Sequence, residues 1–253
     1  MSAGMNPAEF ANIAAAEQEF WWYRGMRRIL YRLLDPVVAG RNISRALEAG
    51  CGTGHLAREL AERYHWQVSA LDLGFEGLRY GRKMGVPNLL QADLRAIPCR
   101  DSAFDAVVSM DVIVHLPRGE EHGPMREFAR VMRPGGLLAL RVSALDILRS
   151  RHSQFAHERQ RFTRGRLLEA AARAGFRPLR CTYANSLLLP VALAKFRLWE
   201  PLTRQAPSSG VVPVSPVVDR VLYGALALES ACLGAGIDFP LGQSIVLLAE
   251  RSV

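Results

Sequence analysis

Between residues 45 and 183 the hydrophobic pattern switches repeatedly between two periods. Short apolar runs of strand type alternate with amphipathic stretches at helical spacing. The runs at 46–49, 67–71, 88–91, 104–110, 137–142 and 177–183 predict six strands. The stretches at 55–64, 75–84, 120–132 and 163–174 predict the helices between them, the last capped by Gly175. Such alternation predicts an α/β fold, with a mostly parallel sheet covered by helices on both faces.

The ends of the chain follow other patterns. Residues 7–34 read as helical, opened by Pro7, and the second helix there, roughly 25–34, is expected to stop before Pro36. Residues 186–199 are apolar, 206–216 are rich in Pro, Ser, Gly and Val and read as a loop, and 217–236 read as an apolar helix. A last strand is expected at 244–249. The boundaries predicted are an N-terminal helical lid (1–44), a ligand-binding core (45–185), a mainly helical insertion (186–242) and a final core strand (243–253). The insertion is read as a lid, a dimer surface or a membrane-surface helix near Lys195 and Arg197.

With 253 residues, 49% of them hydrophobic and 22% charged, the chain is globular in composition and long enough for a full core. Net charge is +8, carried almost wholly by arginine. Its arginines are scattered, with no basic run interleaved with aromatics, so nucleic acid is not an expected partner. Cys51, Cys99, Cys181 and Cys232 form no CxxC pair, which predicts reduced thiols, no metal site and a cytoplasmic setting. Neither a secretory leader nor an apolar run long enough to span a bilayer is read in the chain.

Candidate chemistry gathers at the strand ends. Glu48-Ala49-Gly50-Cys51-Gly52-Thr53-Gly54 joins the first strand to a helix. Glycines there permit positive φ and close approach of a ligand, and the free N–H groups of the helix start favour its polar part. The spacing is G-x-G-x-G, tighter than the G-x-G-x-x-G of dinucleotide sites. Asp72, at the end of the second strand and followed by Leu73, is placed to bond ribose hydroxyls or to cap the next helix. Asp93, with Leu94, is placed to accept from an exocyclic adenine amine or to act as a cap.

These residues resemble the class I S-adenosylmethionine (SAM)-dependent methyltransferases over residues 45–142. Gly50–Gly54, Asp72, Asp93-Leu94, Phe104–Ser109 and Arg133–Gly136 look like the family's successive motifs. The resemblance implies a Rossmann-like seven-stranded sheet whose last strand runs antiparallel. It also implies SAM as cofactor, S-adenosylhomocysteine as product, no metal, and Gly50, Gly52 and Gly54 around the methionine part. Phe20–Arg28 resembles the HWWF-x-x-RR opening of a bacterial subgroup met in glycan and natural-product pathways. His152, His157 and Arg161-Phe162-Thr163 resemble its HD…H-x-RRYT segment, and Phe239–Ser244 its PFG-S end. Phe20, Ser153 and Gln160 depart from that pattern.

Methyl transfer needs alignment above all, and a base only where the acceptor carries a tightly held proton. His115, after the fourth strand, is the first candidate base, followed by His152 and His157 in the loop after the fifth. Met110, Asp111, Cys51, Glu48, Tyr23 and Arg27 are candidate cofactor contacts, Arg27 toward a carboxylate. Trp21, Trp22, Arg161 and Trp199 are candidate substrate contacts. The expected activity is methylation of O, N or C of a small molecule in natural-product or glycan biosynthesis, by a monomer or homodimer. Two alternatives stand beside it: a membrane-surface methyltransferase of a lipid-linked or isoprenoid substrate, and a non-catalytic scaffold.

Overall fold

A computed structural model describes residues 4–203 and 205–252. Two helices, α1 (Pro7–Ala16) and α2 (Trp21–Val38), precede strands β1 (Arg45–Ala49), β2 (Gln67–Asp72), β3 (Asn88–Gln91), β4 (Phe104–Met110), β5 (Met132–Ser143), β6 (Phe176–Ala184) and β7 (Ser244–Arg251). The strands form one sheet in the order β3-β2-β1-β4-β5-β7-β6. Neighbours from β3 to β5 pair in parallel, while β7 is antiparallel to both β5 and β6. This is the seven-stranded sheet, with its last strand antiparallel, that the sequence resemblance implies.

β4 lies centrally and is buried along almost its whole length, so Phe-Asp-Ala-Val-Val-Ser reads as a continuous run rather than an alternation. Its period of two still sorts the core. Val107 packs with Leu47, Phe128 and Leu138 on one face, and Val108 with Ala46, Leu33 and Leu60 on the other. α3 (His55–Tyr64), α4 (Phe75–Lys83), α5 (His122–Val131), the short α6 (Arg151–Phe155) and α7 (Arg164–Arg173) follow the strands as crossovers and loop turns.

Residues 185–243 hold α8 (Leu189–Ala194), a π-helical turn at Lys195–Trp199, α9 (Glu200–Thr203) and α10 (Pro216–Gly234). α10 lies against α2 so closely that a Cβ on Gly25 would stand 2.3 Å from Leu226. Glycine is what lets those two backbones approach.

Three boundaries differ from the sequence pattern. α2 begins at Trp21 and runs through Pro36 to Val38. A proline so near the helix end removes a single interior hydrogen bond, so the last turn survives. β5 starts at Met132, because Arg133–Gly136 belongs to the strand, with a register shift opposite Phe104 and Ala106. The apolar 186–199 stretch divides into α8 and the π turn.

Candidate functional site

The ends of β1, β2 and β4 open into one cavity of about 890 Å³. The turn after β1 folds back over β2, with the N–H groups of Gly50 and Cys51 both donating to the Leu71 carbonyl at 2.7 and 2.8 Å. Gly50 has φ +83°, and a Cβ there would stand 2.2 Å from Val112, so this turn and the one after β4 touch. Gly52, φ +53°, faces open space. Gly54 stands apart from the cavity lining: it starts α3 with φ +81° and packs against Val86 and Gly81. Gly54 thus packs α3 against its neighbours, one residue beyond the turn that borders the cavity.

Asp72 closes the turn from below. Its Oδ2 accepts from Gly52 N–H at 2.8 Å and its Oδ1 from Gly74 N–H at 2.7 Å. Each oxygen keeps a lone pair for a ligand hydroxyl. Burial pushes this carboxyl above the usual range. Glu48 beside it is buried, and its Oε2 meets no donor among the described residues. Burial, then the neighbouring Asp72, pushes Glu48 well up. An orphaned carboxylate oxygen in a cavity wall is costly unless a ligand supplies the donor. Cys51 also lines the cavity, and burial raises its thiol so that it stays protonated.

Asp93 sits at the rim with Leu73 and Leu94. The Arg95 guanidinium (Nη2 to Oδ2, 2.7 Å) and backbone N–H (2.8 Å) hold it below the usual carboxylate range.

Beyond the Gly50 turn the cavity becomes aromatic and basic. Met110 ends β4, Asp111 follows it, and both line the cavity. Asp111 has φ +58°, its N–H bonds the Arg141 carbonyl at 2.9 Å, and its Oδ2 takes Arg141 Nη2 at 2.6 Å and Nε at 2.8 Å. Asp111 Oδ1 is buried without a donor among the described residues. The Arg141 guanidinium lies 5.0 Å from the Trp22 ring centroid, and Trp22 meets Tyr23 edge-on at 5.1 Å. Trp21 lines the same wall.

His115 ends a 3-10 turn, and its Nδ1 bonds the His157 carbonyl at 3.3 Å. Burial lowers its pKa. His157 is the clearest departure from expectation: its imidazole is exposed and outside the cavity lining, and only its carbonyl takes part. His152 does line the cavity, but its Nδ1 accepts from Gly210 N–H at 3.0 Å, 3.7 Å from buried Glu9. It therefore ties α1, α6 and the loop before α10 together.

Two arginines read as ligand contacts are already engaged. Arg27 reaches Glu59 at 3.1 Å and the Glu17 carbonyl at 2.5 Å. Arg161 bonds Glu158 at 2.5 Å, the Ala144 carbonyl at 3.1 Å and Ser153 Oγ at 3.2 Å. Both lie in the cavity wall, and their donors fix the wall itself. Trp199 stands at the mouth, largely exposed.

Sequence reasoning missed Arg141, Glu17 and Glu9. Arg141 was detectable as the lone charge in the apolar run Leu137–Val142. Glu17 accepts from Thr53 Oγ at 2.5 Å, and Glu9 from Ser209 Oγ at 2.9 Å as well as from nearby Asn12; the Thr53 and Ser209 contacts, 36 and 200 residues away, are not legible along the chain.

Residues 47–140 match the methyltransferase domain family. The chain is 32% identical over 151 residues to a ubiquinone biosynthesis O-methyltransferase of Xanthomonas oryzae pv. oryzae, covering 55% of this chain and 62% of that one. It is also 32% identical over 130 residues to a malonyl-[acyl-carrier protein] O-methyltransferase of Enterobacter lignolyticus, covering 50% and 51%. The chain thus spans less than two thirds of the length of these curated relatives. Among solved structures, a putative sarcosine dimethylglycine methyltransferase from Galdieria sulphuraria superposes with a TM-score of 0.57 at 19% identity, covering 90% of this chain and 86% of that one.

Proposed function

We propose that this chain, which carries a class I SAM-dependent methyltransferase domain, moves a methyl group from SAM to a small-molecule acceptor. The observation that carries this reading is Glu48 Oε2, a buried carboxyl oxygen beside the Gly50 turn and Asp72 that has no hydrogen-bond partner among the described residues. A ligand with an ammonium group and a ribose supplies what both carboxylates lack. On this reading Glu48 takes the ammonium, Asp72 the two ribose hydroxyls, and Gly52 leaves room for the ligand chain. Asp93, Leu73 and Leu94 border the base.

When bound, SAM supplies an electrophilic methyl group on sulfur. The protein's task is then alignment and, for an acceptor with a proton, its removal. His115 suits that task. A carbonyl accepts at its Nδ1, so Nδ1 bears the proton and Nε2 is left to receive one. Asp111 Oδ1 is placed to accept from the acceptor's O–H or N–H, held still by Arg141. Trp21 and Trp22 shield the reacting atoms from water.

This arrangement favours a hydroxyl or amine acceptor. The Phe20–Arg28 opening supports an intermediate of natural-product or glycan biosynthesis. A screen with methyl-labelled SAM against phenols, sugar hydroxyls and amines tests the reading. Label transfer to a hydroxyl or amine that depends on His115 is expected, whereas SAM binding without transfer to any class would favour a non-catalytic binder.

A further inference from the structure

The segment 186–242 carries apolar surface that the fold leaves uncovered. Among the described residues, thirteen of the sixteen exposed large apolar side chains fall in this stretch, under a quarter of the chain. Such concentration marks an interaction surface rather than scattered exposure. Trp199 is 65% exposed and Leu202 78%. On α10, Val217, Val221 and Leu228 form one stripe, opposite the buried Leu226 and Leu233.

Charge decides what fits this surface. Lys195, Arg197 and Arg220 are exposed in the same segment, and none has an acidic partner among the described residues, Arg197 donating only to the Ile147 carbonyl at 2.6 Å. The acids of the segment are engaged elsewhere. Asp219 pairs with Arg24 and Asp238 with Arg180, Glu200 accepts from the Arg151 backbone N–H, and Glu229 is buried under the Ser186 and Leu187 N–H groups. Two copies meeting through this face about a two-fold axis would bring like charges together. An anionic bilayer neutralises them.

We propose that residues 186–242 dock this protein onto an anionic lipid bilayer. Trp199 and Leu202 enter the headgroup boundary, and Lys195, Arg197 and Arg220 meet acidic headgroups. No helix among the described residues is long and apolar enough to cross a membrane, so the contact is peripheral. Val191, Trp199 and Val212 also line the cavity, which places its mouth within the docked surface. On the methyltransferase reading above, a hydroxyl- or amine-bearing acceptor with an apolar portion then passes from bilayer to cavity without crossing water.

Vesicle co-sedimentation tests this independently of methyl transfer. Binding to phosphatidylglycerol-containing vesicles is expected, weaker by about tenfold on pure phosphatidylcholine and weakened by salt. Leu198→Glu with Leu202→Glu, and separately Arg197→Glu with Arg220→Glu, are each expected to lower partitioning by about tenfold or more at an unchanged thermal midpoint. Absence of binding to the anionic vesicles overturns the proposal, as does binding that neither variant changes. A stable dimer in light scattering that the leucine variant dissociates, without vesicle binding, assigns the surface to a second copy instead. Vesicle binding by a protein that binds no S-adenosylhomocysteine leaves docking intact and removes the methyltransferase reading.

Discussion

The Nδ1–H of His115 donates to the carbonyl of His157 across 3.3 Å, and His157 presents that carbonyl from a left-handed backbone with φ +60°. One histidine thus sets the tautomer of another through its main chain alone. His115→Ala is expected to lower methyl transfer by about 10²–10⁴-fold while S-adenosylhomocysteine affinity stays within about threefold. His157→Ala keeps the carbonyl and is expected to retain most activity. Single-turnover transfer and calorimetry on both variants check this; a variant of His115 that loses affinity and keeps turnover would make it a cofactor contact.

The pH profile follows from the same group. Burial lowers the pKa of His115 below its usual value, so the neutral base predominates at neutral pH. Transfer is expected to be flat above about pH 6.5 and to fall only as pH drops through the lowered pKa. A fall that begins above neutral pH would contradict this assignment.

Glu48 links the ligand to protons. Its carboxyl is raised in the fold, so the folded protein holds this proton more tightly than the unfolded chain and gains stability as pH falls toward the ordinary carboxylate range. A ligand ammonium favours the ionised form, so binding releases a proton. Calorimetry over a pH series above the ordinary carboxylate range, in buffers of different ionisation enthalpy, is expected to register that release, and Glu48→Gln to abolish it while raising the thermal midpoint of the free protein. Identical heats in every buffer would separate Glu48 from the ligand.

Gly50→Ala is expected to destabilise the protein by about 2–4 kcal/mol, since the added Cβ meets Val112 and the residue needs positive φ. Val112→Ala in the same chain is expected to restore part of the loss. Thermal unfolding of the single and double variants measures both, and full tolerance of the single change would mean that the two turns are free to part.

Much of this was legible in the sequence because parallel sheets write themselves locally. Phe104–Met110 and Asn88–Gln91 have the bounds their apolar runs predict. Asp72 lies where a strand end must put it, beside the Gly50 turn. What escaped depends on distant pairing. Arg27 looked free along the chain and is bound in the fold by Glu59. Glu9 gains its meaning only when Ser209 and His152 fold over it. The exposed imidazole of His157 follows from a left-handed turn, which its residue type does not announce.

The central claim is that the cavity between the Gly50 turn and Asp72 binds an adenosyl amino acid. Calorimetric titration of the chain with S-adenosylhomocysteine is the most direct measurement. One molecule is expected to bind per chain, with affinity lowered by about tenfold or more in Asp72→Ala. No heat with S-adenosylhomocysteine, alongside saturable binding of a nicotinamide dinucleotide, would contradict the account.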